Sequence, residues 1–573
     1  MTQSPPKPAD SRSRSAPLLH LGHPDAHVPM FEAPESASAP VTPVRLAIFI
    51  GCAVFAAFLG LYFEGVGDAA VTPQVALPWV LPFVLLLGCI ATMPFVAKHF
   101  WEKHYHHVAL ALACLITGYY LLGLHAGGSM AKSFGEYISF IFLLGSLFTV
   151  SGGILIRVRR KATPKVNVAL LLAGALIANV FGTTGAAMLL IRPYLRINKA
   201  HLRPYHIIFF IFLVANVGGS LTPIGDPPLF LGYLKGVPFW WVLYHCWPMW
   251  IVAVGVLLIT FFIIDTRAHA AEPREDHDPH DAGPAISIFG VSNLLLVFAI
   301  LAGILLHDQL VHIIHIPWRE LIMTVAVAIS LATTPQRIHL ENVFNFAPIR
   351  EVAFLFIGIF ATMVPALNFL SNHANDTALR EYLQTPGQFY YKSGALSSVL
   401  DNAPTYLTFL ETETGKLDKN LQTVAMQVVA DKTRSAPDDA DYARLKAMNP
   451  EKYADPAAFD ADKAALRQAL LALEEYHGDA VTTGALTPDQ VKLGFLLGEE
   501  KLNWYIVAIS LGSVFFGAMT YIGNGPNFMV KSIADHAGAP TPSFFEYIYR
   551  YSAPILLPIL ILVWALFLLH RGG

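Results

Sequence analysis

Charge is scarce in this chain. Only 14% of its 573 residues are Asp, Glu, Lys or Arg, against about a quarter in an ordinary soluble domain. A surface so poor in charge excludes a large soluble enzyme. The formal net charge of −3 offers no basic face, so no nucleic acid or other polyanion partner is expected. Cysteine is nearly absent. Cys52, Cys89, Cys114 and Cys246 all lie in apolar segments without metal-ligand spacing, which reads as small packing residues rather than disulfides or metal ligands. The first 43 residues contain no apolar stretch of signal-peptide type. They are rich in Pro, Ser and Ala, and read as a disordered tail rather than a cleavable leader.

What the chain has instead is apolar length: 54% hydrophobic residues and a mean hydropathy of +0.50. Runs of about 20 residues, the length that spans a bilayer, recur along it. They lie at Val44–Tyr62, Ala76–Ala97, His107–Leu124, Tyr137–Ile156, Tyr205–Tyr233, Phe239–Ile264, Ile288–Leu306, Trp318–Thr333, Ile349–Leu370, Trp504–Val530 and Tyr547–Leu569. Two further stretches, Val166–Arg192 and Phe389–Leu410, are interrupted by Gly182-Thr183-Thr184-Gly185 and by Asp401-Asn402-Ala403-Pro404. Basic residues flank the first on both sides: Arg157, Arg159, Arg160, Lys161 and Lys165 before it, Arg192, Arg196, Lys199 and Arg203 after it. The positive-inside rule then puts both ends in the cytoplasm, which a re-entrant hairpin satisfies and a crossing does not.

The expected fold is an all-α polytopic membrane protein of about 11 crossings. A leading helix and loop (44–75) precede two repeats, 76–264 and 288–570, joined by a polar cytoplasmic linker, 265–287. Each repeat has three spans, a re-entrant hairpin, a broken span and a last span. Five crossings make an odd number, so the second repeat is inverted. The N-terminus, with Lys7, Arg12 and Arg14, is expected inside. A charged, Ala-rich insertion, 411–500, is expected outside the membrane, with a helix near Ala465–Glu475.

Two segments read as one motif written twice. Gly219-Ser220-Leu221-Thr222-Pro223-Ile224-Gly225-Asp226-Pro227-Pro228 matches Gly517-Ala518-Met519-Thr520-Tyr521-Ile522-Gly523-Asn524-Gly525-Pro526 in Gly, Thr, Ile, Gly and Pro, with Asp226 opposite Asn524. Breaks in membrane-length segments free backbone groups that lipid cannot satisfy, so they are tolerated where they line a cavity or hold a ligand. Paired breaks in two halves point to the central site of a secondary transporter.

Most acids sit at segment ends, as do Glu64, Asp265, Asp308, Glu320 and Glu351. Only Asp226 and Asp401 fall in the middle of interrupted elements, where a carboxylate is expensive and usually functional. Around them Thr183, Thr184, Ser220, Thr222, Asn402, Thr405, Thr520, Asn524 and Asn527 offer oxygen ligands for a small hard cation. Gly185, Gly225, Pro227, Pro404 and Gly523 shape the turns. Sodium is expected at Asp226 and Asp401, with sodium and proton as transported or coupling ions and no organic cofactor. Helix capping is the competing reading of both aspartates. The histidines of Lys103-His104-Tyr105-His106-His107 read as an interfacial belt rather than a metal site, Asp276-His277-Asp278-Pro279-His280-Asp281 as a solvated charge run, His245 as a packed side chain and Arg192 as snorkelling.

At these residues the chain resembles the ion transporter superfamily. Asn216-Val217-Gly218-Gly219-Ser220-Leu221-Thr222-Pro223-Ile224-Gly225-Asp226 is similar to the break of NhaD-type sodium/proton antiporters, and Ser398-Val399-Leu400-Asp401-Asn402-Ala403-Pro404 to their Asp-Asn-x-Pro hairpin tip. The layout from about Ala76 to Leu569 also resembles the citrate transporter-like group. The first tip carries Gly182-Thr183 where NhaD-type proteins tend to carry Asp-Asn, and Ile522-Gly523-Asn524-Gly525-Pro526-Asn527 is closer to arsenite and carboxylate carriers. The resemblance implies a homodimer in which hairpins and broken helices move against a scaffold. It also implies a place in the lipid bilayer, expected to be the bacterial inner (cell) membrane. The leading expectation is sodium/proton exchange. The alternative is a cation-coupled citrate or dicarboxylate transporter, which two mid-membrane acids without a mid-membrane Arg or Lys disfavour. No enzyme is expected: an intramembrane aspartyl protease also uses two aspartates, but its Gly-x-Gly-Asp pattern is absent before Asp226.

Overall fold

The computed structural model describes residues 43–66, 73–158, 162–270, 286–307, 316–342, 344–431, 436–484 and 486–571. The expected disordered tail, most of the linker with its Asp-His run, and Asp308 lie outside the described residues. The rest is almost wholly helical, as the apolar runs require. Nine described helices are long and apolar enough to cross a membrane. One of these, Pro164–Ile197, is not a span.

At Gly182 the backbone takes φ 72° and ψ 157°, a region open essentially to glycine alone, and the helix reverses. Asn167 donates to Asn198 at 2.9 Å. Along a straight helix those residues would stand about 46 Å apart at 1.5 Å per residue. Pro164–Ile197 is therefore a hairpin with its tip at the expected Gly-Thr-Thr-Gly. The second hairpin consists of Pro386–Ser397 and Asn402–Thr414. It closes at its base where Lys416 Nζ donates to the Leu383 carbonyl at 2.8 Å.

Both broken spans also appear. The first runs Pro204–Leu213, an irregular stretch through Asp226, then Pro227–Lys235. The second runs Glu500–Phe516, a short turn to Asn524, then Gly525–His536. With the shorter apolar helices Ser292–Leu305 and Trp318–Thr333, the spans among the described residues number the expected eleven. Each repeat has the same order: three spans, hairpin, broken span, last span. Leu81–Val96 and Lys98–Gly118 turn on the single residue Ala97, which brings Trp79 to stack on Tyr119 at 3.7 Å.

One continuous apolar core runs through both repeats. The insertion has its own, built on Val424, Val428, Leu445, Leu466, Leu473 and Val491. Its boundaries are tighter than 411–500. Glu411 belongs to the second hairpin and Glu500 to the second broken span, which leaves helices Lys419–Ala430, Asp439–Met448, Pro456–Thr483 and Pro488–Gly498. Asp418, Asp438, Asp455 and Thr487 each cap the helix that follows with a side-chain oxygen. The expected helix at Ala465–Glu475 lies inside the third.

Two further findings depart from the sequence reading, and a third, at Glu320, adds to it. A two-stranded antiparallel ribbon, β1 (Leu155–Val158) and β2 (Ile286–Phe289), pairs Leu155 with Phe289 and Val158 with Ile286. Asp265 is not the first residue of a linker. It is fully buried in Trp241–Ala270, where it accepts from Tyr205 Oη at 2.7 Å and Asn167 Nδ2 at 3.0 Å. Glu320 is likewise buried, bonded to Arg319 and Ser139. Charges at the ends of apolar runs suggest a loop, but here tertiary partners draw them into the packed interior.

Candidate functional site

Four interrupted elements meet at one carboxylate. Asp226 is 1% exposed. Its Oδ1 accepts from Thr183 Oγ1 at 2.8 Å and Asn524 Nδ2 at 3.0 Å, and its Oδ2 accepts from Asn402 Nδ2 at 2.5 Å. These donors come from the first hairpin tip, the second break and the second hairpin tip. The carboxylate itself is the end of the first break.

The local sequence explains the convergence. Thr222 Oγ1 donates to the Asn179 carbonyl at 2.6 Å and accepts from Gly225 N at 3.1 Å. In the second repeat Thr520 Oγ1 donates to the Ser398 carbonyl at 2.6 Å and accepts from Gly523 N at 3.1 Å. Asn179 and Ser398 each stand four residues before the tip residue that reaches Asp226. The same threonine thus staples each break to its own hairpin. The glycines permit the approach: a Cβ on Gly225 would run into the Gly219 carbonyl oxygen, and one on Gly523 into that of Gly517. The Gly225 carbonyl also accepts from Thr183 N at 2.7 Å.

A chain of amides then ties the two repeats together. Asn527 Nδ2 donates to the carbonyls of Gly517 and Thr520, at 2.8 and 2.9 Å, so its Oδ1 is the end left to accept from Asn216 Nδ2 at 2.6 Å. Asn216 Nδ2 also donates to the Ile211 carbonyl, and its Oδ1 accepts from Asn524 Nδ2 at 3.2 Å. Backbone carbonyls, which can only accept, therefore fix every amide in the chain. The last amide presents N–H, not C=O, to Asp226.

The sixteen expected site residues divide accordingly. Thr183, Asp226, Asn402 and Asn524 are brought together at the centre. Thr222, Thr520, Gly225 and Gly523 build the turns around it. Ser220 Oγ donates to the Val217 carbonyl and Thr405 Oγ1 to that of Asp401. Asn527 stands one amide further out. Thr184 is half-buried beside Thr183 on the tip, and Gly185 packs toward Ser151. Pro227 opens the half-helix after Asp226, and buried Pro404 lies one turn into the helix after Asp401. Asp401 is not among the hydrogen-bond partners of Asp226. Its carboxylate accepts from Ala403 N at 3.2 Å as a helix cap, whereas Asp226 makes no cap bond to its own helix. Residues that the sequence reading did not single out are Asn179 and Trp250, whose indole donates to the Gly218 carbonyl at 2.9 Å. Asn216 and Ser398 were legible only as the first letters of the break and tip motifs. His245 stacks on Trp241 at 3.9 Å, a packed histidine as read from the sequence. Arg192 is buried, which does not fit a side chain snorkelling past lipid.

Each of the four half-helices that starts at this point starts there with its N-terminus: after Gly182, Asp226, Asp401 and Asn524. Their positive dipole ends face the same small volume. Asn402 Oδ1, fully buried, has no hydrogen-bond partner among the described residues. An oxygen so placed, on a side chain bonded to a carboxylate, is of the chemical type that a small hard cation takes as a ligand.

Broken helices in two repeats, packed tip to tip around a buried carboxylate, define an integral membrane transporter. Residues 72–568 match the family model described as "Putative citrate transport", and the chain belongs to that family. No curated protein matches it.

Proposed function

We propose that this transporter exchanges sodium for protons, with Asp226 as the group that each occupies in turn. One observation carries the reading. A completely buried carboxylate is held only by neutral donors, and among the described residues none of its recorded partners is Lys, Arg or His. A bare charge in such a place is costly unless neutralised. A proton on an oxygen does this, and so does a small cation held between Asp226 and Asn402 Oδ1. Only one of the two can occupy the site, and that competition is what an exchanger requires.

A cation-coupled citrate carrier is the second reading. It is favoured by the family's description and by the four helix N-termini, which suit an anion. In that case Thr183, Thr184, Asn402 and Thr405 would meet the carboxylates of the substrate, and Asp226 would hold the coupling ion.

Proteoliposomes with purified protein, an internal pH dye and no organic acid separate the two. The expected result is sodium-driven proton movement whose apparent sodium affinity falls as pH drops. Silence in that assay, with flux restored by citrate, would replace the first reading with the second.

A further inference from the structure

The insertion is not a free appendage. Its last helix, Pro488–Gly498, packs on Asn402–Thr414 of the second hairpin, on Glu500–Phe516 of the second broken span and on Pro227–Lys235 of the first. At the last of these the grip reaches the backbone. His477 Nε2 lies 2.9 Å from the Gly236 carbonyl oxygen. Gly236 itself has φ 113°, and a Cβ there would stand 2.7 Å from Gln490 Cγ. Pro227–Lys235 is a single short helix with Asp226 at its start, so the insertion holds the far end of the rod that carries the central carboxylate.

Opposite this end lies Gly127–Gly152, the third span of the first repeat. It contributes no hydrogen bond to Asp226, yet two oppositely signed ion pairs cross to it. Asp489 Oδ2 lies 2.9 Å from Lys132 Nζ, and Glu136 Oε1 lies 2.8 Å from Lys235 Nζ. Lys235 Nζ also reaches Asp489 at 3.3 Å. Lys492 and Glu411 complete a cluster of three positive and three negative side chains, at 3.7 Å and 3.9 Å. All are mostly shielded from solvent. In such surroundings an ion pair is far more sensitive to loss of one partner than at an open surface.

We infer that this cluster is a latch. The insertion joins broken elements of both repeats into one body, and the pairs Asp489–Lys132 and Lys235–Glu136 hold that body against Gly127–Gly152 in the closed state described here. The argument for movement is local. Asp226 is sealed from solvent, so it can load or release anything only if the elements around it shift. Those elements are bonded to one another through Thr183, Asn402, Asn524 and Asn216, and shift together. The surface that must slide is therefore the one toward a span outside that bonding, and the two pairs lie across it. The inference rests on the transport reading only in requiring that Asp226 be uncovered; it does not depend on which ion or substrate moves.

The test is a distance measurement on the full chain in nanodiscs. Spin labels replace Leu122, at the end of the second span, and Leu471, on the insertion; both are exposed. The native cysteines are replaced. The unaltered cluster is expected to give one dominant distance. Asp489→Asn, Glu136→Gln and Lys132→Met are each expected to raise a second, displaced population by about fivefold or more. The charge-keeping variants Lys132→Arg and Lys235→Arg are expected to leave the distribution in its starting form, which separates a latch from simple misfolding. A distribution unchanged in all three single variants, or displaced as far by the charge-keeping variants, overturns the latch. Failure of the sodium-for-proton reading would show instead in the liposome flux, with these distances unaffected.

Discussion

Asp226 and Asp401 look alike in the sequence, since each stands where an apolar element breaks before a proline. Their surroundings separate them. Asp226 turns its carboxylate away from its own helix and into donors from three other elements, while Asp401 turns back to the Ala403 amide. Asn caps a helix as well as Asp does, so Asp401→Asn removes charge and keeps the cap. We expect this variant to retain exchange within about threefold of the unaltered protein, since capping alone is worth only about 1 kcal/mol. Asp226→Asn is expected to insert normally and show no exchange above background in the same vesicles. Loss of flux in both variants would place Asp401 in the ion site as well. Asn402→Ala removes a donor to Asp226 and an uncommitted oxygen beside it. A bond to a charged group is worth about 1.5–3 kcal/mol, so the half-saturating sodium concentration should rise by about tenfold or more, read from flux against external sodium.

At the scale of elements, the hairpins and breaks were legible because Gly, Pro, Asp and Asn cannot sit unnoticed in long apolar runs. The Gly219–Pro228 and Gly517–Pro526 match located both breaks, and the basic residues around Val166–Arg192 identified that interrupted apolar stretch as a hairpin. What the sequence could not display was who bonds to whom. Thr222 and Thr520 read as ligands because a hydroxyl beside a break is a plausible one. In the fold both are spent on carbonyls of Asn179 and Ser398, residues that carry no signal of their own. Asp265 failed for a related reason. Its burial depends on Tyr205 and Asn167, which are distant in the chain, and no local pattern announces such partners. The Gly182 turn gives a direct check. A side chain at φ 72° and ψ 157° carries strain of about 1–3 kcal/mol, and the new Cβ would press on the Ile224 carbonyl oxygen at 3.2 Å. Gly182→Ala should lower the thermal midpoint of the purified protein and reduce flux. An unchanged midpoint would mean that the tip relaxes without consequence.

For the molecule as a whole, pH should act on the centre and the insertion differently. Burial pulls the Asp489 carboxyl upward, but Lys235, Lys132 and Lys492 pull it down further, well below the ordinary carboxylate range. For a group depressed in the folded state, the stabilisation is complete above its unfolded value, about 3.9, and is lost only as pH falls from there through the folded value. The share of docking that Asp489 carries should therefore be indifferent to pH between roughly 5 and 8, measured as hydrogen exchange across Pro488–Gly498, after correction for intrinsic rates, in a His477→Gln variant that takes the imidazole at Gly236 out of the comparison. Sodium affinity in the flux assay should vary over the same interval. If exchange in Pro488–Gly498 rises as pH falls from 8 to 5, the cluster is not held by Asp489 as described.

The small ribbon has a consequence for how the chain is strung. β1 leaves the end of Gly127–Gly152, and β2 leads into Ser292–Leu305. Asn293 Nδ2 and Asn342 Nδ2 fasten the junction, bonding the carbonyls of Gly153, and of Gly152 and Ile154, respectively. The two strands thus pin, side by side, the points where the chain leaves for the first hairpin, the first broken span and its following helix and where it comes back. Those elements, with the parts of the second repeat bonded to Asp226, can move as one body while the clasp at their two ends stays shut.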